Sequence, residues 1–376
     1  MRVGIVGAGV SGLLCAQRLM QLMPSLHISV LEWGRGPGGR TARRRVKLGQ
    51  DDGRPGELSF DHAAPYFTAT TGAFREELAR WEAAGVASPW PEAGEGVWVG
   101  VPSNHAIARH LVAGLEAGGG SMLFGHHVLN AEHTGAAWRV RATNRGTKLT
   151  VTLNFDALVL SDKLLLLPNT YAVLPPSEHG PLALPPSLIS TGAIVMLIAL
   201  HRDAAATAAR AATATATPPA AAAVSNYLNH ACIARVVHDS AKPGRGGGGG
   251  SGGEYDLWVV HSPATYAAAH LVGEALDDEG AVLSEMQAAF FELGGGELVA
   301  GGGNVAHASV MVWDHAQTTP GSRVLDGGYR LDADRRAGVC GDFFGGQVEG
   351  VEAAALSGIA LADALALVCT GAKSDL

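Results

Sequence analysis

The segment Gly7-Ala-Gly-Val-Ser-Gly12 constrains this chain most, because it holds glycines at the three positions of GxGxxG. Ahead of it, Arg2-Val-Gly-Ile-Val6 is a short β-branched run suited to a buried parallel strand. Behind it, Leu13–Met20 reads as a helix ending near Pro24, and His27–Leu31 as a second strand closed by Glu32. The order predicts a βαβ unit and a doubly wound α/β layer. In such a unit Gly7 permits the tight turn, Gly9 lets a pyrophosphate reach the backbone, and Gly12 lets helix and strand pack closely. The helix start offers unpaired N–H groups and a positive dipole end to phosphates. Glu32 stands 20 residues after Gly12, where a carboxylate accepts hydrogen bonds from ribose hydroxyls. In a chain with 51 glycines the motif alone means little, and an ordinary glycine turn is the alternative. Its place between strand and helix, ahead of an acidic cap, gives it weight.

The rest of the chain bounds the function. At 376 residues it has room for roughly two domains. Hydrophobic residues make up 47% and charged residues 16%, which excludes a wholly disordered chain. Lys+Arg 27 against Asp+Glu 35 gives a net charge of −8, which argues against nucleic acid as a partner. Cys15, Cys232, Cys340 and Cys369 form no CxxC, so a reducing compartment is expected. His105, His110, His126 and His127 lack metal-ligand spacing, so no metal is expected. The apolar runs Leu158–Leu167, broken by Asp162 and Lys163, and Leu188–Leu200 fall short of the roughly 20 residues a bilayer requires. No membrane partner is therefore expected. A strand pattern that starts at Arg2 leads us to expect a cytoplasmic protein, or an organellar one (a chloroplast, for instance) whose presequence has been removed.

Downstream, His126–Glu132, Ala137–Ala142 and Thr147–Phe155 read as a meander, and Asp156–Leu160 as another buried strand. Ala204–Ala223 and Gly246–Gly253 read as spacers. Val339–Asp342, a Phe-Phe-Gly-Gly turn and a helix from about Val348 to Leu367 close the fold.

Gly36-Pro-Gly-Gly-Arg40-Thr41 follows Glu32 and resembles the second glycine motif of the flavoprotein amine oxidase superfamily, where glycines and an arginine hold FAD. Arg43, Arg44, Arg45 and Lys47 extend a cationic run that serves either an anionic ligand or a solvated loop. Asp61-His-Ala-Ala-Pro-Tyr-Phe-Thr68 resembles the D-[LH]-G-A-Q-Y-[FI]-T segment of the renalase family, and Gly100-Val-Pro-Ser103 its G-x-P-G loop. Val312–Gln317 resembles that family's W-x-[HY]-[AS] strand, and Cys340-Gly-Asp342 with Val348-Glu-Gly350 its closing segment. The chain departs from the pattern at Pro65, where Gln is common, at Ala63 and Ser103, which replace glycines, and at Arg43, where Ser or Thr is common.

The resemblance implies an α/β fold of two domains. The first would be an FAD-binding Rossmann-type domain, like those of p-hydroxybenzoate hydroxylase and the amine oxidases, over residues 1–72, 101–165 and 322–376. The second would be a mixed-sheet substrate domain over 73–100 and 166–321, with insertions at 204–223 and 246–253. It implies noncovalent FAD held by Gly7, Gly9, Ser11, Gly12, Glu32, Gly39, Arg40, Thr41, Pro65, Tyr66, Val128, Gly341, Asp342, Val348 and Glu349. Tyr66, Trp313 and His315 are the implied catalytic residues. Trp313, His315 and Gln317 alternate, so a regular strand turns all three to one side. The implied reaction is hydride transfer from an isomeric dihydronicotinamide dinucleotide to flavin, with dioxygen as acceptor and hydrogen peroxide as product. Such a step makes an aromatic ring and needs no general base, so positioning carries it.

Three other readings stay open. A flavin amine oxidase often uses a lysine near the flavin, for which Lys163 and Lys242 are candidates. A desaturase of lipophilic pigments expects a larger apolar channel. A non-catalytic flavin-binding partner or sensor needs no substrate at all.

Overall fold

The computed structural model describes residues 1–48, 57–168, 170–201, 223–245, 254–273, 275–295, 305–319, 321–324, 327–346 and 348–371. Both expected spacers, apart from Ala223, lie outside these residues.

The first layer is a six-stranded sheet in the order Arg330–Asp332, Ala337–Val339, Ala157–Leu160, Arg2–Val6, His27–Glu32 and Ser121–Phe124. All its pairings are parallel except the one between the first two strands. Side chains leave it with period two. Val3, Ile5, Ile28, Val30, Ala157 and Val159 face a core shared with the helices Val10–Leu22, His105–Ala117 and Gly350–Thr370. Val6, Leu31, Leu158 and Leu160 face the opposite core, which is covered by the meander His126–His133, Trp138–Asn144 and Thr150–Phe155. Apolar side chains on both faces explain why these strands read as continuous apolar runs.

The C-terminal helix corrects one expectation. Gly350–Thr370 has 21 residues and a mean hydropathy of 1.9, so by length and composition alone it is long enough to cross a bilayer. Here it packs on Val10–Leu22, and a Cβ on Gly358 would come within 2.2 Å of the Ser11 carbonyl. The small side chain at this crossing is what lets the two helices meet.

The second layer is a five-stranded antiparallel sheet: Val224–Asn226, Arg235–His238, Tyr255–His261, Ser190–His201 and Val305–Thr318. Ile194, Met196, Ile198 and Trp258 point to the helices Ala264–His270 and Glu279–Phe290. Val195, Leu197, Leu257 and Val259 point to Leu58, Phe60 and Val99. Phe74, Leu78 and Trp81 of the helix Gly72–Ala83 belong to the first layer's core, as do Leu166, Val173 and Leu182.

Candidate active site between the two layers

The glycine turn sits at the carboxyl end of the Arg2–Val6 strand. Gly7 has φ +103°, and a Cβ there would lie 2.3 Å from the Ser161 hydroxyl oxygen. That hydroxyl donates to the carbonyls of Val6 at 2.8 Å and Gly7 at 3.0 Å, which fixes the turn against the neighbouring strand end. Over Gly9 a Cβ would meet nothing within 4 Å, so this side of the turn is open. Gly9 is also the N-cap of the helix that follows and supplies no side-chain cap, so the helix end faces the opening with its dipole uncompensated. Ser11 is buried and donates to the Ser161 carbonyl at 3.3 Å.

Glu32 caps the neighbouring strand. Its carboxylate accepts from the Ala8 amide at 2.9 Å and the Gly34 amide at 2.6 Å. Burial raises its pKa, and those two amides partly offset the rise. Val128 lies next to these strand ends in the core shared with Val6 and Leu31. The second glycine turn is tied to the first, since the Gly38 amide donates to the Ala8 carbonyl at 2.8 Å. Thr41 closes that turn by donating to the Gly38 carbonyl at 2.8 Å, and Gly39 lies against Gly9.

Arg40 spans the site. Its guanidinium donates to both carboxylate oxygens of Asp342 at 2.6 Å and to the Ala316 carbonyl at 3.2 Å. One residue thus joins the second glycine turn, the closing Gly341-Asp342 turn and the long strand of the second sheet. Burial raises the Asp342 pKa, but the Arg40 charge and hydrogen bonds, helped by Lys163 and Arg323, hold it below the usual carboxylate range. Gly341 donates to the Ser357 hydroxyl at 2.9 Å. Val348 and Glu349 are both held by Arg323, through the Val348 carbonyl at 2.6 Å and the Glu349 carboxylate at 3.2 Å.

A cleft between the layers is lined by Arg40, Ala63, Ala193, Val195, His261, Trp313, Ala316 and Gln317. Of the three implied catalytic residues, Trp313 lines it and His315 and Tyr66 do not. The cause at His315 is a break in strand register: Thr191 pairs with Gln317 but Ala193 pairs with Trp313, so the second strand carries two extra residues. Regular alternation fails there, and Ala316 and Gln317 both reach the cleft. The Tyr66 ring instead carries the Arg235 guanidinium at 5.2 Å, and Pro65 beside it is buried. Arg43–Lys47 forms a strand paired with Glu57–Asp61 rather than a loop, and none of its cations lines the cleft.

His261 and His62 had no signal beyond a lone histidine at the end of an apolar strand and one inside a motif. His261 Nε2 lies 2.9 Å from the His62 carbonyl, so that nitrogen carries the proton and donates. Its Nδ1 therefore holds a lone pair, and this atom has no hydrogen-bond partner among the described residues, nor has Trp313 Nε1. The His62 ring stacks on Trp313 with centroids 5.3 Å apart. Burial pushes the pKa of His62 down to about 4 and that of His261 down to about 3, so both are neutral near pH 7.

The two remaining candidates part company. Lys242 is locked into a buried ion cluster with Asp61 and Asp239. Lys163 lies by Arg40 and Asp342.

A family model for an NAD(P)-binding Rossmann-like domain matches residues 5–81. No curated protein matches the chain. A candidate protoporphyrinogen oxidase from Exiguobacterium sp. 255-15 has a similar structure, with TM-score 0.60 and 11% identity over 97% of this chain and 98% of that one. An oxidoreductase from Methanosarcina mazei gives TM-score 0.55 and 14% identity over 95% and 99%. A flavoprotein/dehydrogenase from Cytophaga hutchinsonii gives TM-score 0.51 and 10% identity over 100% and 80%. At these identities the likeness establishes the fold: an α/β architecture with a Rossmann-type dinucleotide-binding layer.

Proposed function

We propose that this chain is an FAD-dependent oxidoreductase that binds FAD noncovalently and accepts a hydride from a dihydronicotinamide dinucleotide. One observation carries the reading. Arg40, from the turn beside the dinucleotide layer, lines the same cleft as Trp313 and His261 of the second sheet. A cofactor laid along the strand ends would present its reactive ring to a substrate held by those residues.

The residues fit such a cofactor. The open face of Gly9 and the uncapped helix start suit a diphosphate, and Glu32 keeps lone pairs for ribose hydroxyls. In this reading the backbone at Val128 would meet the adenine, and Asp342 would contact the ribityl or diphosphate part of the cofactor. FAD held there would supply a hydride acceptor that dioxygen could reoxidise, with hydrogen peroxide as the product.

The chain's own part is positioning. Arg40 draws an anionic dinucleotide toward the cleft, and Trp313 with the stacked His62 gives a flat wall for a planar ring. Neutral His261 offers an acceptor at Nδ1, and Trp313 offers a donor at Nε1. A carboxamide carries the matching acceptor and donor. Amine oxidation is the second reading, favoured by the same Nδ1 lone pair, which can accept from a neutral amine.

The test is anaerobic mixing of the flavin-loaded chain with dihydronicotinamide isomers, with ordinary NADPH and with amines. Fast bleaching by an isomer supports the proposal, and bleaching by amines alone replaces it with the second reading. A flavin that no donor bleaches makes the chain a flavin-binding partner or sensor.

A further inference from the structure

We infer that Lys163 binds the diphosphate of the dinucleotide, which would give its buried ammonium the partner that the described residues do not. The inference rests on the dinucleotide reading above and assigns this lysine a role beyond the glycine motifs.

Lys163 opens a short turn, Lys163–Leu165, just past the Ala157–Leu160 strand. Ser161, two residues earlier, is bonded to Val6 and Gly7, so the lysine emerges beside the glycine turn. It is 1% exposed and is the only charged residue among the largest fully buried side chains. Among the described residues its ammonium makes no hydrogen bond and no ion pair, an expensive state for a buried cation.

The cations around it are paired, and Lys163 is not. Arg40 faces it from the second glycine turn and Arg323 from the 321–324 segment, while Asp342 and Asp162 supply negative charge. Both oxygens of Asp342 already serve Arg40, and Asp162 accepts from the Leu164 amide at 3.0 Å. Arg323 pairs with the Glu349 carboxylate at 3.2 Å. Arg40 and Arg323 thus each hold a carboxylate, Lys163 is left without a bonded partner near an uncapped helix start, and a diphosphate there would supply one. Burial lowers the Lys163 pKa, Arg40 and Arg323 lower it further, and Asp342 and Asp162 oppose them. A bound diphosphate reverses the balance and draws a proton onto the amine.

The test uses the full chain freed of flavin and titrated calorimetrically with FAD and with ADP, in buffers of different ionisation heat across roughly pH 7–10. The wild type is expected to bind both and to take up protons on doing so. K163M is expected to bind both at least about tenfold more weakly, without that uptake. Free of ligand it should melt at or above the wild-type temperature, because an unpaired buried charge has become an apolar side chain. FAD and ADP affinities within about twofold of wild type overturn the inference, as does a loss confined to FAD, which would place the lysine at the flavin ring. A lower melting temperature for ligand-free K163M with unchanged affinity makes Lys163 structural. If K163M does not fold, wild-type binding without proton uptake still overturns the inference. A wild type that binds neither ligand removes the dinucleotide reading itself.

Discussion

The charge cluster under the second sheet and the one at the edge of the dinucleotide layer use the same residue types, yet only the first is closed. Asp61 pairs with Lys242 at 3.0 Å and Arg245 at 2.7 Å, and Asp239 pairs with the same two cations at 2.5 and 3.1 Å. None of the four side chains is more than 3% exposed, and two carboxylates meet two cations. Burial raises Asp61, but Lys242 and Arg245 outweigh it and hold the acid ionised. In the other cluster Arg40 and Asp342 pair, and Lys163 is left over. A buried set in which every charge is bonded binds the protein to itself, whereas a cation with no bonded partner leaves the site ready for an anion.

The largest effect should come from unbalancing the closed set. Asp239→Asn leaves one buried carboxylate facing two cations, and we expect a cost of about 3–5 kcal/mol, read as a lowered urea midpoint. Flavin uptake per folded molecule should stay unchanged. A loss below about 1 kcal/mol would end the distinction between the clusters. Arg40→Ala should have the opposite profile. It removes a doubly bonded guanidinium that is 32% exposed, so stability should fall less than in Asp239→Asn. Flavin binding should weaken by about 1.5–3 kcal/mol, measured as flavin absorbance retained after purification. Unchanged flavin content would remove Arg40 from the site.

The open cluster was partly legible in the sequence and the closed one was not, for a reason of distance. Gly7, Gly9, Gly12 and Glu32 lie in one short crossover whose spacing reports its own geometry. Continuous apolar runs likewise marked the strands Arg2–Val6, His27–Glu32 and Ala157–Leu160 of the first layer, and alternating ones marked the meander. Lys242 and Asp61 are separated by 181 residues, and no local pattern marks their meeting. The pairing of Ser190–His201 with Val305–Thr318 is similarly remote, and its register break is what takes His315 from the wall that alternation assigned it. Lys163 was visible as a lysine in an apolar run and, with Lys242, as a candidate for the lysine near the flavin that many relatives of the resembled superfamily use. Its meaning depends on partners being absent, which a linear reading does not reveal.

A pH measurement sharpens the comparison with a smaller effect, through the two histidines that lie beside the clusters. His62 adjoins Asp61, and His261 lines the cleft. Burial holds them near pKa 4 and 3, below the ordinary value of 6.5, so the folded protein keeps them neutral. As pH falls below 6.5 the unfolded chain takes up protons first, and stability is lost progressively toward pH 3. Asp61 and Asp342 are held below their ordinary range and stay out of the pH 5–6.5 window. His105 and His307, also lowered by burial, add to the loss, and Glu32, raised by burial, opposes it. Over that window we expect a loss on the order of 1–3 kcal/mol in urea midpoints. His261→Gln keeps a donor for the His62 carbonyl and should remove part of the slope. An unaltered slope would mean that His261 is protonated in the fold, and the neutral-acceptor role at Nδ1 would fall with it.

The smallest effect is expected at a pair that water reaches. Arg18 and Asp363 join the Val10–Leu22 and Gly350–Thr370 helices at 2.6 Å, with side chains 38% and 45% exposed. The contact is as short as those of Arg40 to Asp342, so distance alone predicts a similar value. Solvent screening predicts otherwise, because either partner left alone is rehydrated at once. Asp363→Asn should therefore cost about 0.2–1 kcal/mol in urea denaturation, and less at high salt. A cost that matches Asp239→Asn would show that helix docking, rather than burial and charge balance, sets the value of an ion pair in this fold.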